Sequence, residues 1–473
     1  MGAGSSTWAT ILPHGHRPRT EWPPVGTGAA QLIMDPDTYV RGVPYDRLAE
    51  LRRASPVVWV DEPAVDGWPG GPGGWAVLRH ADVKRVLHHP EIFSSQLGAT
   101  QVRDPATPGA LAFVRRMMIN LDPPEHSRLR SLLTRAFTPR AVARLEHRIG
   151  EWAQDLVAGV AADGECDFAK VAADLPLLTV AEVFGVPAED RWLMFDWSNR
   201  VIGYQDPEYA VSARVAAGAG TTAMAEQALA RRPEPGPDGR MPDPRTREGL
   251  ADMYAYAHAL GDHKRRYPGD DVMSNLVGEV DAPGARGVPE GQGGRVSLEE
   301  FENLFFLFSV AGNETLRNGI PGGMVALVTH PDVQRRLRAD RSLLPTAVEE
   351  MLRWWTPVMH FRRTAAVDTE LGGEVVRAGQ KVVVWFSAAN RDPAVFADPD
   401  AFDITRAPNE HLTFGHGPHF CLGAHLARVQ MRAMFSAVLD QLGEVEPAGA
   451  AVRLRSNFQN GIKSLPVRWR PWR

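Results

Sequence analysis

The ten residues from Phe414 to Gly423 constrain this chain of 473 residues more than any other segment. They read FGHGPHFCLG, so that Cys421 follows a glycine-rich loop and precedes a helix predicted over Gly423–Leu442. Backbone N–H groups at a helix N-terminus lack partners within the helix and attract negative charge. We therefore expect Cys421 to hold a thiolate more readily than an ordinary cysteine does. The glycines would also let the backbone come close to a flat ligand.

A free cysteine is more often a small buried hydrophobe, and for Cys421 taken alone that interpretation remains open. The other cysteine, Cys166, has no glycine-rich context and is predicted to be such a buried thiol. Two cysteines in a chain of this length exclude a disulfide framework and favour a reducing compartment.

Composition excludes several classes of protein. There are 52 Lys and Arg against 57 Asp and Glu, a net charge of -5, so the chain has no basic excess for binding nucleic acid. The first thirty residues contain four prolines and no apolar core, which argues against a secretory signal or a membrane anchor. We expect a cytoplasmic protein.

Apolar periodicity predicts a mainly α protein with minor β structure. Residues 1–40 are predicted to be an irregular arm and residues 41–473 one domain. The predicted helices include Tyr45–Ala54, Ala81–His88, and His126–Leu156 with a break at Pro139. The predicted strands are Val57–Val60, Gly74–Leu78, Thr369–Leu371, Glu374–Arg377 and Lys381–Phe386, and two Pro- and Gly-rich loops are predicted at Arg231–Arg247 and Asp281–Arg295.

A long helix is predicted to begin at the capping box formed by Ser297 and Glu300. Its middle reads AGNET over residues 311–315, and a glycine inside a helix costs about 1 kcal/mol relative to alanine. A backbone opening over a planar cofactor would require Gly312. Glu314 and Thr315 place an acid beside an alcohol, which suits proton transfer, although such residues are often structural. Pro321 predicts a kink or an early end of this helix.

Both segments resemble signatures of the cytochrome P450 superfamily: Phe-x-x-Gly-x-x-x-Cys-x-Gly of the haem-binding loop, and Ala-Gly-x-(Asp/Glu)-Thr of the central helix. The resemblance implies a single-domain, prism-shaped P450 fold with heme b between the central helix and the helix after the loop. It implies that Cys421 is the axial thiolate and that Phe414, Gly415, His419 and Gly423 complete the cofactor loop. It assigns oxygen activation to Ala311, Gly312, Glu314 and Thr315. Because both Glu314 and Thr315 are present, a monooxygenase is favoured over a peroxide-using relative.

Two further sets of residues follow from the same resemblance. Glu350 and Arg353, which alone would read as a solvated i,i+3 pair, resemble the Glu-x-x-Arg motif that braces the cysteine loop. Ala401 stands where the third member is often an arginine, so Arg406 is the predicted substitute. The haem propionates need cations, and the predicted donors, each of which could instead be a solvated surface residue, are His126, Arg130, Arg363 (or its neighbour Arg362) and His419.

Segments of the chain are similar to actinobacterial enzymes that oxidise sterols, branched lipids and terpenoids. These segments are Ala311–Thr315 with Arg317 and Asn318, Arg353–Trp354 with Pro357–His360, and Gly203–Glu208. The similarity implies O2 and a rigid, hydrophobic small-molecule substrate, with pocket walls, unless they are plain core, at residues 94–120, 305–311 and 358–361. A tailoring oxidase of secondary metabolism acting on an aromatic or peptide scaffold, including by oxidative coupling, and a non-catalytic haem sensor or carrier remain alternatives.

Electrons are expected from separate proteins, because no Gly-x-Gly-x-x-Gly follows a predicted strand. A ferredoxin and a ferredoxin reductase are the predicted partners of a monomeric enzyme. Six arginines concentrate positive charge in one helical region: Arg128, Arg130, Arg135, Arg140, Arg144 and Arg148. This region fits an acidic ferredoxin, although a solvated charged face is the alternative.

Overall fold

The computed structural model describes residues 31–65, 69–212, 221–237, 239–280 and 296–470. Its helices are Pro36–Val40, Tyr45–Ala54, His80–His88, Pro108–Val114, Glu125–Thr134, Pro139–Ala161, Phe168–Phe184, Arg191–Ile202, Pro207–Val211, Ala223–Leu229, Ala251–Arg266, Val272–Gly278, Leu298–Thr329, Pro331–Ala339, Leu344–Trp355, Phe386–Ala389 and Ala424–Gln441. Its strands are Val57–Glu62, Gly71–Val77, Phe93–Ser94, Glu165–Asp167, His360–Ala365, Thr369–Leu371, Glu374–Val376, Lys381–Trp385, Val445–Pro447, Val452–Arg453, Ile462–Ser464 and Pro466–Trp469. The predicted class, mainly α with minor β, is confirmed. In these ranges, no helix combines the length and the apolar character needed to cross a membrane.

The contacts divide the chain into two compact units. The first comprises Met1–Ser94, Ala143–Leu175 and Thr315–Arg473, and the second comprises Ser95–Val142 and Pro176–Glu314. The prediction of one domain over residues 41–473 stays a prediction.

The first unit contains a five-stranded sheet. Its order is Val57–Glu62, Gly71–Val77, Lys381–Trp385, His360–Ala365 and Phe93–Ser94. The second and third strands in this order are parallel and the other neighbours are antiparallel. The sheet packs on one apolar core that includes Val77, Val382 and Phe386. It therefore gives a rigid support to His360–Ala365, the strand that carries the predicted propionate arginine.

The arm predicted to be irregular over residues 1–40 becomes helical before it ends. Pro36–Val40 is a helix because Asp35 caps it, accepting a hydrogen bond from the N–H of Asp37 at 2.9 Å, and because proline is favoured in the first helical turn. Tyr39 is buried and its hydroxyl donates to the carbonyl of Ile33 at 2.7 Å, which fixes the segment. Residues 1–30 and the predicted loop 281–295 lie outside the described residues.

The long helix does not end at Pro321. It runs from Leu298 to Thr329, so the prediction of an early end is wrong. The next two residues are glycines against which large rings pack: a Cβ added to Gly322 would lie 2.1 Å from Cγ of Trp355, and one added to Gly323 would lie 2.5 Å from Phe435. Close packing on both sides stabilises the helical course that proline alone disfavours.

Three short strands form a sheet in the first unit that sequence periodicity did not predict. Glu165–Asp167 and Val445–Pro447 both pair with Pro466–Trp469. Cys166 lies in this sheet, and burial, with a smaller contribution from Asp167, raises the pKa of its thiol to about 12. The thiol is only half-buried, and the structural role of Cys166 stays a prediction.

The second unit is held by a buried ionic network. Asp252 is fully buried and accepts hydrogen bonds from Arg200 and, at 3.0 Å, from the indole N–H of Trp197. Tyr256 donates to Asp190 at 2.7 Å. These buried hydrogen bonds and ion pairs hold the helices Arg191–Ile202 and Ala251–Arg266 together.

Candidate functional site

The cysteine loop is a turn that only glycine permits. Cys421 lies between the 3-10 turn Gly417–His419 and the helix Ala424–Gln441, and its N–H donates to the carbonyl of Phe414 at 2.8 Å. Gly415 and Gly417 have φ values of +72° and +69°, which side chains strongly disfavour. A Cβ on Gly417 would also lie 2.3 Å from the carbonyl oxygen of Leu87. The turn thereby leaves Cys421 exposed at the surface of its unit.

Glu350 is the centre of a buried charge cluster. Its carboxylate accepts two hydrogen bonds of 2.7 Å from Arg353, and both side chains are completely buried. Arg406, the arginine proposed as third member, lies 3.2 Å from the same carboxylate and donates to three carbonyls of residues 397–401. Arg353 itself donates to the carbonyls of Pro399 and Ala401. The cluster therefore fixes the backbone of residues 397–406.

Asn390 connects this cluster with the cysteine loop, and sequence reasoning missed it. Its carbonyl accepts from Arg353 at 2.9 Å, while its side-chain oxygen accepts the N–H of Leu412 at 2.7 Å. Its amide group donates to the hydroxyl of Thr413 at 3.0 Å. Asn390 thus holds the residues just before Phe414. Its only sequence signal is that it precedes Arg391 and Asp392 in a polar run after a buried strand.

The central helix has a single open stretch in its interior. Residues 301–310 and 316–328 are all buried, whereas Ala311 is exposed and Gly312 and Thr315 are partly exposed. Ala311 and Thr315 are four residues apart and share one helix face. Glu314 is adjacent but only 1% exposed. A small face formed by Ala311, Gly312 and Thr315 is therefore at least partly accessible in the middle of a buried helix.

Gly312 has a packing role in addition to the one predicted for it. A Cβ added there would lie 2.8 Å from Cγ2 of Val180. The close approach of the helix Phe168–Phe184 therefore requires glycine independently of any cofactor. Its predicted catalytic role stays a prediction.

The predicted propionate donors are distributed over both units. In the first, Arg362 and Arg363 are each 3% exposed on the strand His360–Ala365, and His419 is half-buried at the end of the 3-10 turn. In the second, His126 is 1% exposed and Arg130 half-buried, one turn apart in Glu125–Thr134. Their common role stays a prediction.

The donors of the first unit fit a haem. A cysteine thiolate is the ligand type that binds haem iron in oxygen-cleaving enzymes, and Cys421 is accessible. A Cβ added to Gly423 would meet no atom within 4 Å, so a bulky group can approach the backbone beside the thiol. Buried arginine is the side chain best suited to a carboxylate.

Known proteins resemble the chain over most of its length. The profile of the family Cytochrome P450 matches residues 285–449. A steroid C26-monooxygenase of Rhodococcus jostii is 37% identical over 439 residues, which are 92% of this chain and 84% of that protein. A methyl-branched lipid omega-hydroxylase of Mycobacterium tuberculosis is 38% identical over 428 residues, covering 89% of this chain and 90% of that protein.

Solved structures agree with these relatives. CYP108D1 from Novosphingobium aromaticivorans superposes with a TM-score of 0.76 at 31% identity, covering 95% of this chain and all of that one. The cytochrome P450 CYP268A2 of Mycobacterium marinum, solved with pseudoionone, has a TM-score of 0.74 at 35% identity and covers 90% and 94% of the two chains. The chain shares 31–38% identity with these proteins over about nine tenths of its length or more, and it has an accessible cysteine on a glycine turn. It therefore belongs to the cytochrome P450 family and is a haem-thiolate monooxygenase.

Proposed function

We propose that this monooxygenase hydroxylates an apolar substrate of the steroid or methyl-branched lipid class. The observation that carries the proposal is the open stretch of the central helix, where Ala311 and Gly312 offer a small apolar surface near Thr315. A face without charge suits a hydrocarbon rather than a polar substrate. The names of the two relatives, a steroid C26-monooxygenase and a methyl-branched lipid omega-hydroxylase, support the same class.

The bound haem supplies the activation of O2. We propose that Cys421 provides its axial thiolate and that His126, Arg130, Arg363 and His419 hold its propionates. The cluster of Glu350, Arg353 and Arg406 would keep the backbone around the loop in place, since it fixes residues 397–406 and reaches Leu412 through Asn390. Preorganisation of this kind avoids rearrangement during turnover.

Glu314 and Thr315 are proposed to move protons. Thr315 is partly exposed on the open face, where its hydroxyl would hold a proton donor near the reacting oxygen. Glu314, the residue before Thr315, lies about 100° away around the helix and is buried. It can therefore supply a proton to the Thr315 hydroxyl from within the protein rather than from bulk water. Two groups in sequence on one helix keep the transfer path short.

The electron donor is proposed to be a ferredoxin that docks on the arginine region. Arg128 is paired with Glu125 and Glu300, so it contributes little net charge. Arg135 and Arg140 are exposed, as are Arg144 and Arg148. Exposed arginines in a chain of net charge -5 give an acidic partner a local target.

A spin-state titration of the purified haem protein tests the substrate class. Steroids with an intact side chain and methyl-branched fatty acids should convert the haem to high spin at micromolar concentration, and Ala311→Phe should weaken that binding at least tenfold. A product carrying one oxygen atom from labelled O2 would separate an oxygenase from a haem sensor or carrier. If only aromatic natural products gave the spin shift, the tailoring alternative would replace the proposed class.

A further inference from the structure

A second ion pair, independent of Glu350, lies beside the cysteine loop. Arg428 is in the helix that follows Cys421, and its guanidinium makes two bonds to the carboxylate of Glu349, at 2.6 and 2.7 Å. Such bidentate geometry fixes the plane of the guanidinium as well as its distance. Both side chains are about a quarter exposed, at 27% each. Arg428 is thus held in one orientation and is partly exposed.

The orientation places Arg428 over an aromatic ring of the loop. Its central carbon lies 4.4 Å from the ring centre of Phe414, within the range of a cation–π interaction. Glu349 also receives the ring nitrogen of His411 at 3.2 Å, and that ring lies 5.7 Å from Phe414. One carboxylate therefore organises a cation and an imidazole around Phe414.

Phe414 is hydrogen-bonded to Cys421 through the backbone. Its carbonyl accepts the N–H of Cys421 at 2.8 Å, which closes the turn. A rotation of Phe414 about its backbone would move this carbonyl and, with it, the Cys421 backbone. The contacts form one continuous series, in the first unit, from Glu349 through Arg428 and Phe414 to the cysteine.

We propose that Arg428, fixed by Glu349, is a positioning residue that holds Phe414 and thereby keeps Cys421 in the geometry of a thiolate ligand. The proposal rests on the haem-thiolate function. It assigns to Glu349 a role separate from that of its neighbour Glu350, whose contacts go to Arg353, Arg406, Asn409 and the N–H of Asp403.

The test compares Arg428→Met with Arg432→Met in the purified haem protein. Arg432 is one turn further along the same helix, is 29% exposed and has a looser ion pair with Glu146 at 3.6 Å. The readout is the reduced CO complex, whose band at about 450 nm reports the thiolate ligand. The two quantities to be measured are the rate at which this band converts to the blue-shifted form in mild urea and the haem reduction potential. Neither readout depends on substrate or turnover.

We expect Arg428→Met to accelerate the conversion about three- to tenfold, because the variant loses one cation–π contact and the ion pair that orients it. We also expect the haem reduction potential to shift. Glu349→Gln should act in the same direction but less, because the cation over Phe414 remains. Arg428→Lys keeps the charge but loses the bidentate pair, so its conversion rate should lie between those of wild type and Arg428→Met. Arg432→Met should behave as wild type.

Equal conversion rates in Arg428→Met and wild type would overturn the proposal, as would equal acceleration by both methionine variants, which would indicate a general effect on the helix. If the wild-type protein itself gave no 450 nm band, the haem-thiolate function would fail instead. The two failures are therefore distinguishable.

Discussion

At the scale of single residues, Glu350 shows how much one buried charge can determine. Its carboxylate accepts hydrogen bonds from four donors and is completely buried. The donors are Arg353, Arg406, Asn409 and the N–H of Asp403. Removing one partner of a buried pair leaves uncompensated charge, which costs about 3–5 kcal/mol. We expect Glu350→Gln to lower the free energy of unfolding by that amount, measured by urea denaturation.

Glu299→Gln is the matched control for this prediction. Glu299 also pairs with an arginine, Arg116, at 3.0 Å, but the two side chains are 43% and 57% exposed. Exposed pairs contribute about 0–1 kcal/mol, so this variant should change stability little. Equal losses in the two variants would contradict the special role given to burial.

His360 makes the stability depend on pH. The ring is buried against Trp385 and Phe458, and this burial, opposed only in part by a hydrogen bond with Asn457, lowers its pKa from 6.5 to about 3. Between those values the unfolded chain binds a proton that the folded protein does not. The free energy of unfolding is therefore unaffected by protonation of His360 above pH 6.5, where the ring is neutral in both states. It decreases progressively as the pH falls from 6.5 towards 3, because protonation then favours the unfolded chain.

We expect His360→Phe to remove this dependence. At pH 5 the term amounts to about 2 kcal/mol, from 1.4 kcal/mol per pKa unit. Urea denaturation at pH 7 and pH 5 should show a larger drop for wild type than for the variant. Parallel pH profiles for the two proteins would show that His360 is accessible to protons in the folded state.

The sequence predicted residues that belong to local motifs or, like Arg406, follow from the family resemblance. It missed Asn390 and Arg428, whose partners are distant and which belong to neither group. Glu350 and Arg353 are three positions apart, and Cys421 lies within one ten-residue segment, so each pattern is visible in the chain. Asn390 acts through Leu412, and Arg428 acts through Glu349, 79 positions earlier. Such pairings are created by folding and have no periodic signal. The catalytic and propionate-binding roles stay predictions.

At the scale of elements, amphipathic helices were predictable and very short strands were not. Tyr45–Ala54 has the predicted bounds, and Gly423–Leu442 differs from the helix Ala424–Gln441 by one residue at each end. The strands at residues 445–469 are two to four residues long, too short for an alternating pattern to appear. The prediction that the helix ends early at Pro321 is wrong because the packing partners of the helix, not its sequence, decide whether it continues.

The packing of the long helix gives a direct prediction for Gly322. An added Cβ would lie 2.1 Å from the ring of Trp355, a distance at which the buried indole has to move. We expect Gly322→Ala to destabilise the protein by about 1–3 kcal/mol through overpacking, measured as a lower thermal midpoint.

Gly159→Ala tests the same chemical change without the contact. Gly159 is inside the helix Pro139–Ala161, and a Cβ there meets no atom within 4 Å. This variant should gain about 0.5–1 kcal/mol from helix propensity alone. An unchanged or stabilised Gly322→Ala would show that the Trp355 ring moves at little cost and that packing does not set the response. A destabilised Gly159→Ala would contradict the expected gain from helix propensity.

At the scale of the whole molecule, charge distribution matters more than the net value. The chain carries -5 overall, yet Arg135, Arg140, Arg144 and Arg148 are exposed within fourteen residues of one another. Surface potentials of this kind act over about 10 Å at 0.1 M salt and increase association rates with an oppositely charged partner. Docking of an acidic electron donor is therefore expected to depend on salt.

Reversing Arg135 and Arg140 tests this expectation. With an acidic ferredoxin, Arg135→Glu/Arg140→Glu should slow haem reduction about tenfold at low salt, and the difference should shrink as salt screens both proteins. Arg265→Glu/Arg266→Glu changes the net charge equally at an exposed position of the helix Ala251–Arg266, so it should have little effect if the arginine region is the docking surface. Reduction by dithionite, which needs no docking, should be the same in all three proteins. Equal slowing by both double variants would mean that net charge alone governs the encounter, and unchanged rates with ferredoxin would leave the arginines as a solvated face.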